Sequence, residues 1–368
     1  MTPSRPACDI FCRVVDNFGD IGVSWRLARQ LSHERDLPVR LVVDDLSSFQ
    51  KLVPGVQVDR REQMVEGVSV LEWREPLLQF LPPADLVIET FGCELPPAYI
   101  AEMASNKPAP VWINLEYLSA ELWAGEHHLL PSPHPVYPLT KHFFFPGFTP
   151  ETGGLIRERD VAGANFNQAK NENPHEFKIF LFSYAAAPVD ALLAALDRMN
   201  APVRCTIAHV DPAAKVESRR ASQGKNALKS ATVLEFVSFC PQIAFDDLLA
   251  AHDILFVRGE DSLVRAIWAG KPFVWQIYPQ AEGAHLVKLQ AFLDLYCDGL
   301  APSANLAMRE LWKAWNAADS SAIGFAWEAF LAELPNLREH AVRWSSEQLK
   351  MPDLASNLLS FYRKTAKI

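Results

Sequence analysis

Short β-rich runs alternate with helical patterns twice along this chain, with an irregular stretch between the two series, and this constrains the fold more than any other feature. Residues 8–15 form a β-rich run, 16–22 the turn-forming D-N-F-G-D-I-G, and 23–32 a helical pattern. Further strands are expected at 39–43, after Pro38 and before Asp44 and Asp45, and at 67–70, 85–90 and 110–114. Strands that alternate with crossover-length segments call for a parallel sheet covered on both faces. From 132 to 176 the patterns stop and the sequence turns rich in Pro, Gly, aromatic and polar residues, so a domain boundary belongs there. The alternation restarts with a strand at 178–184, a helix at 190–199 and strands at 203–208 and 231–236; the segments 327–334 and 346–362 read as helical. The expectation is α/β: two facing Rossmann-like domains at 1–155 and 156–345, and a helical segment 346–368 packing back on the first. In such folds ligands bind at the carboxyl ends of strands, here in a central cleft.

A chain of 368 residues, 49% of them hydrophobic, has material for two cores. Its net charge of −9 and isoelectric point near 5.6 argue against nucleic-acid binding, which needs a clustered excess of Lys and Arg. Residues 1–150 carry 12 Lys or Arg against 19 Asp or Glu, a balance that suits a cationic partner and equally suits a plain solvated surface. The six cysteines show neither C-x-x-C nor zinc-ligand spacing and read as buried apolar residues of a reducing compartment. Arg5, Asp9 and Arg13 interrupt what a secretory signal would need, and no apolar run approaches the ~20 residues that span a bilayer. A cytoplasmic location without membrane attachment is expected.

The strongest local signal is the run 252–279, H-D-I-L-F-V-R-G-E-D-S-L-V-R-A-I-W-A-G-K-P-F-V-W-Q-I-Y-P. It reads as a strand ending near Arg258, a turn at Gly259–Glu260, a helix capped by Asp261 or Ser262, a stop at Gly270, and a strand after Pro272. Free amides and the dipole at the helix start form an anion site, to which Arg258 and Ser262 add donors fit for a diphosphate, with no metal required. Glu260 would repel phosphate and suits hydroxyls of ribose or sugar. A capped βαβ unit with a surface Arg–Glu pair accounts for the same residues.

In the first loop, G-x-G-x-x-G is absent, and Asp16 and Asp20 stand where a pyrophosphate would sit. Carboxylates there suit proton acceptance or the orientation of a donor group. An Asx turn capping the next helix is the alternative, and for Asp16 alone the preferred one. In F-V-S-F-C-P-Q, residues 236–242, Phe239 is a candidate to stack on a nucleobase and Gln242 to read its polar edge; a core role for Phe239 competes. Tyr184 is a candidate of the same kind. Segments 114–123 and 139–148 gather aromatic and polar groups that suit an acceptor surface or packing under a loop. His127, His128, His134 and His142 lack metal-ligand periodicity, so no metal site is expected.

Taken together, D-N-F-G-D-I-G-V-S-W-R-L-A-R-Q-L, I-E-T-F-G-C-E-L-P, N-L-E-Y-L-S-A-E, F-F-F-P-G-F with T-G-G-L-I-R-E, and V-R-G-E-D-S-L-V-R-A-I-W-A-G-K-P-F-V-W-Q-I-Y-P-Q resemble the EarP family of bacterial protein-arginine rhamnosyltransferases. The resemblance runs from residue 8 to about 280. It implies a GT-B fold with an acceptor-binding first domain and a nucleotide-sugar-binding second one, and an inverting transfer from dTDP-β-L-rhamnose to an arginine of elongation factor P, without cofactor or metal. It also implies that Asp20 is the catalytic carboxylate with Asp16 beside it. Phe239 and Gln242 match the nucleobase pocket, Arg258, Glu260, Asp261 and Ser262 the donor-binding run, and Tyr184 lies with them. The sequence departs from the expected pattern at Gln276, where a His would stand, and at Leu263, where a Phe would. Without the resemblance, the residues also fit another nucleotide-sugar transferase or epimerase, or a non-catalytic adaptor for a basic protein.

Overall fold

A computed structural model describes residues 6–15, 18–74, 81–159, 176–208, 232–238, 240–280 and 283–367. The chain forms two compact units, Met1–Gly163 with Met351–Ile368, and Ala164–Lys350.

The first unit carries an eight-stranded sheet. Its strands are β1 (Cys8–Cys12), β2 (Val39–Val43), β3 (Glu62–Val65), β4 (Val68–Glu72), β5 (Leu86–Thr90), β6 (Val111–Leu115), β7 (Pro131–Pro133) and β8 (Thr140–Phe144). They lie in the order β3-β4-β2-β1-β5-β6-β8-β7, parallel except for the β3–β4 and β7–β8 pairs at the two edges. The central strands β1, β5 and β6 are buried at every position, as interior parallel strands must be. Side-chain alternation splits them between two cores. Cys8, Ile10, Cys12, Leu86, Ile88 and Ile113 face one, while Phe11, Val87 and Trp112 join Tyr99 and Met103 in the other.

Helix α1 (Gly19–Arg35) covers the first face through Ile21, Trp25, Ala28 and Leu31, the helical spacing of a buried stripe. The same face is completed by the last helix, Leu354–Ala366, whose Leu354, Ala355, Leu358, Leu359 and Tyr362 are buried in that cluster. Asp353 caps this helix through the Ser356 amide and also takes Arg35 at 3.0 Å. Gly154, at φ +78°, has no room for a side chain, since a Cβ would lie 2.6 Å from the Pro352 carbonyl.

The first unit departs from expectation in its antiparallel edge strands β3 and β7 and in two further features. Helix α1 begins at Gly19 rather than near residue 23, and so includes Asp20. The stretch after 132, read as irregular, contributes β8 to the sheet.

The second unit holds a five-stranded parallel sheet in the order β11-β10-β9-β12-β13. These are β9 (Phe177–Leu181), β10 (Val203–Ala208), β11 (Thr232–Val237), β12 (Ile254–Arg258) and β13 (Phe273–Gln276). Between β11 and β13 run α2 (Gln242–Ala250) and α3 (Gly259–Ala269), and after β13 four helices follow, from Ala284–Tyr296 to Leu334–Gln348. Trp312, Trp315 and Trp327 are fully buried there; the ring of Trp312 lies 5.3 Å from Phe273 and that of Trp315 4.7 Å from Phe256. Among the described residues no helix is long and apolar enough to cross a membrane.

Candidate active site

In a parallel sheet, the chemistry-bearing loops leave the carboxyl ends of the strands. In the first unit, β1 ends at Cys12 and the chain turns into α1, of which Asp20 is the second residue. The Asp20 side chain is only 2% exposed. Its Oδ2 accepts the Val15 amide at 2.8 Å and its Oδ1 accepts the Tyr117 hydroxyl at 3.3 Å. Asp20 is therefore not the helix cap, a position held by Phe18; its carboxylate reaches back across the turn. The free amides and dipole at the helix start favour the negative charge. Asp16 lies outside the described residues.

The next strands in the sheet bring aromatic groups to the same carboxylate. Past the end of β5, Phe91 is left-handed at φ +56° and Gly92 follows at φ +64°. A bulky residue in that region costs about 1–3 kcal/mol and persists only where its surroundings hold it. Here the Phe91 amide donates to the Leu115 carbonyl at 2.7 Å, and the Gly92 amide to Asn114 Oδ1 at 3.1 Å. Asn114 also donates to Glu116 Oε1 at 2.5 Å. The Phe91 ring stacks on Tyr117 with centroids 4.4 Å apart and planes 18° apart. Deeper in the sheet, Glu89 is 1% exposed and held by Lys141 at 3.2 Å, the Trp112 indole at 3.2 Å and the Glu94 amide at 3.1 Å. That carboxylate is committed to structure.

In the second unit, the exits of β9, β12 and β13 carry the other group of candidates. Arg258 is the N-cap of α3, and its guanidinium carbon lies 4.4 Å from the ring centroids of both Phe182 and Tyr184. Cation–π contact on two rings fixes a cation at the start of a helix. The Tyr184 amide donates to Gln276 Oε1 at 2.8 Å, which ties β9 to the end of β13. Gly259 adopts φ +67°, its carbonyl accepts the Trp275 indole at 2.8 Å, and a Cβ there would come 3.3 Å from the Tyr184 hydroxyl. Buried without a hydrogen-bond partner among the described residues are the Ser183 hydroxyl and Arg258 Nε, a donor capacity that suits an anionic oxygen.

The remaining donor-side candidates are adjacent. The expected helix cap at Asp261 or Ser262 is corrected by the start of α3 at Gly259, two residues earlier. Ser262, 5% exposed, accepts the Arg258 amide at 3.1 Å and donates to the Arg258 carbonyl, so its hydroxyl shapes the strand-to-helix turn. Asp261 accepts from Gln242 at 3.1 Å and from Arg265 at 3.1 Å, and Arg265 pairs with Asp246 at 2.6 Å. Glu260 sits half-buried in the first turn of α3. Phe239 lies outside the described residues, while Gln242, 6% exposed, opens α2 beyond it.

The structure thus brings Tyr184, Arg258, Glu260, Asp261, Ser262 and Gln242 to one end of one sheet, and sets Asp20 at the corresponding end of the other. Sequence reasoning did not single out Tyr117, Phe91, Phe182, Ser183 or Arg265. Arg265 was within reach as the i+4 partner of Asp261; Tyr117 stands 97 residues from Asp20 and no local pattern joins them.

Comparison with known proteins follows the same lines. The family model described as "Elongation-Factor P (EF-P) rhamnosyltransferase EarP" matches residues 8–363. A protein-arginine rhamnosyltransferase of Pseudomonas putida is 42% identical over 97% of this chain and 98% of its own. Its counterpart in Pseudomonas aeruginosa is 40% identical over 96% and 98%. A solved structure reported as "Structural basis for EarP-mediated arginine glycosylation of translation elongation factor EF-P" superposes with a TM-score of 0.67 at 30% identity, covering 98% of this chain and 99% of that one.

Proposed function

The chain belongs to the EarP family of elongation factor P rhamnosyltransferases, and from that premise we propose that it transfers L-rhamnose from dTDP-β-L-rhamnose to an arginine side chain of elongation factor P, with inversion at the anomeric carbon and without a metal. The fold is the GT-B class of two Rossmann-like units. The observation that carries the mechanism is the Asp20 carboxylate, buried at the start of α1 with one oxygen on a main-chain amide and the other on a tyrosine hydroxyl.

A guanidinium stays protonated at any working pH, and its lone pairs are delocalised, which makes it a poor nucleophile. A carboxylate is far too weak a base to deprotonate it in the ground state. In this reading Asp20 accepts charge-assisted hydrogen bonds from the guanidinium and orients one nitrogen toward the anomeric carbon. The nitrogen–carbon bond forms as the bond from that carbon to the diphosphate oxygen breaks, and the electron pair leaves on dTDP. Bond formation acidifies the nitrogen, whose proton passes to Asp20. Asp16 lies beside it in sequence and is assigned to shaping the same loop.

Charge developing on dTDP meets Arg258, the α3 amides and the Ser183 hydroxyl, donors of fixed orientation that require no ion to assist them. Glu260 takes hydroxyls of the sugar or ribose. Phe239 and Gln242 take the thymine, with Asp261 and Arg265 holding Gln242 in place, and Tyr184 supports Arg258. Incubation of elongation factor P with the protein and dTDP-β-L-rhamnose, followed by peptide mass spectrometry, tests the whole reading. One deoxyhexose on an arginine is expected; an unmodified acceptor with an active donor refutes it.

A further inference from the structure

We infer that the stacked Tyr117–Phe91 pair is the platform that receives the acceptor guanidinium and selects arginine over lysine, and that the Tyr117 hydroxyl positions Asp20; the inference rests on the assignment of Asp20 above. Phe91 is held in a left-handed conformation, φ +56°, by the Leu115 carbonyl and, through Gly92, by Asn114. A strained, bulky residue fixed at a strand exit points to a function beyond packing. The conformation has one visible product: a ring lying 4.4 Å from that of Tyr117 and nearly parallel to it.

Tyr117 is thereby held twice, by its ring on Phe91 and by its hydroxyl on Asp20 Oδ1, and yet 36% of it stays exposed. An aromatic ring backed by another and tethered at its tip presents a rigid flat surface beside a carboxylate. A planar guanidinium satisfies both at once, stacking on the ring while its N–H groups reach the carboxylate. An ammonium is compact and strongly hydrated, and uses such a face less well. Glu116, next in the chain and tied to Asn114 at 2.5 Å, adds negative charge at the same strand exit.

The two roles of Tyr117 separate by substitution. Tyr117→Phe keeps the face and removes the hydrogen bond to Asp20. Acceptor affinity by calorimetry is expected within about twofold of wild type. Single-turnover rate is expected to fall about three- to tenfold while that affinity holds, a split between rate and binding that a merely structural role of the hydroxyl would not give. Tyr117→Leu removes the face as well, and acceptor Kd should rise about tenfold. The preference for the natural acceptor over one bearing Lys in place of its target Arg should collapse in parallel. Binding of dTDP should stay as in wild type for both variants, which also shows that they are folded.

Wild-type acceptor affinity and wild-type Arg/Lys preference in Tyr117→Leu overturn the platform. A wild-type single-turnover rate in Tyr117→Phe overturns the positioning role. Failure of the underlying assignment shows elsewhere, as undiminished transfer by Asp20→Asn, while the acceptor-binding measurements on Tyr117 variants are read without turnover.

Discussion

Replacing Asp20 by Asn separates a catalyst from a binder, and the structure indicates how cleanly. Among its contacts the carboxylate accepts the Val15 amide at 2.8 Å and the Tyr117 hydroxyl at 3.3 Å. An Asn side chain keeps one oxygen, which serves the shorter bond to Val15. Its NH2 group then faces the tyrosine hydroxyl, which can rotate and accept instead of donate. Both contacts survive with donor and acceptor exchanged in one of them. The loss of charge at the helix start costs ~0.3–1 kcal/mol, small beside the stability of a folded domain, and the variant should fold. The residues proposed to hold the donor belong to the second unit, so affinity for dTDP should change by less than about twofold. Turnover should fall by ~10²-fold or more, the usual loss when a positioned acid–base group is removed. Single-turnover mass spectrometry of elongation factor P, beside calorimetry with dTDP, measures both quantities. A transfer rate within threefold of wild type would remove Asp20 from the chemistry and leave it as the brace of the loop ahead of α1.

Arg258→Ala takes a cation from between the Phe182 and Tyr184 rings and from the start of α3, and dTDP affinity should drop by about one to two decades in calorimetry; an unchanged Kd in the folded variant refutes the phosphate assignment. Transfer activity should withstand EDTA, and recovery of lost activity on addition of Mg²⁺ would indicate a metal-dependent reaction. Burial pushes His128 down to about 4 from an ordinary 6.5, and its Nδ1 accepts the Phe145 amide at 3.1 Å, which requires the neutral ring. Because the folded value is the lower one, protonation favours unfolding: this stability is present above pH 6.5 and is lost as pH falls toward 4. His128→Gln should flatten thermal stability over that window, and an unchanged slope would place the acid sensitivity elsewhere.

What the sequence revealed follows from where each signal originates. Strands β2 and β10 stand at Val39–Val43 and Val203–Ala208, where apolar runs mark them, because interior parallel strands bury both faces and need no partner to be recognised. Edge strands lack that signature. Strand β3 reads E-Q-M-V with alternate exposure, and β7 reads P-S-P, a sequence tolerated only where an amide need not join the ladder. The helix Pro302–Asn316 does carry a legible stripe, Ala307, Met308, Leu311, Trp312 and Trp315. The site divides in the same way. Arg258 and Ser262 were visible as a local strand–turn–helix pattern, whereas the Tyr117–Asp20 contact depends on β1, β5 and β6 lying side by side. Sheet order is a tertiary property, and no window of sequence contains it.

Gln276, where the resemblance leads one to expect a His, tests whether such a departure can be explained by contact rather than by chance. It is 3% exposed, ends β13 beside Arg258 on β12, and accepts the Tyr184 amide at 2.8 Å. The bond needs an acceptor at that point and nothing more, so the neutral imidazole of a His supplies it as well. Gln276→His should therefore bind dTDP within about threefold of wild type at pH 8. Gln276→Leu removes the acceptor of a half-buried amide, a penalty of ~1 kcal/mol, and releases the Tyr184 ring from beneath Arg258. Its dTDP affinity should fall about tenfold, with a lower Tm. The two acceptors also part on acidification. An imidazolium has no lone pair to offer, so Gln276→His should lose affinity as pH falls through about 6.5 while the wild-type Gln does not. Calorimetry at pH 8 and pH 5.5 reads the difference directly. If the Leu variant binds dTDP as tightly as wild type and only its Tm drops, the Gln276–Tyr184 bond serves stability alone, and the stacking of Tyr184 under Arg258 does not depend on it.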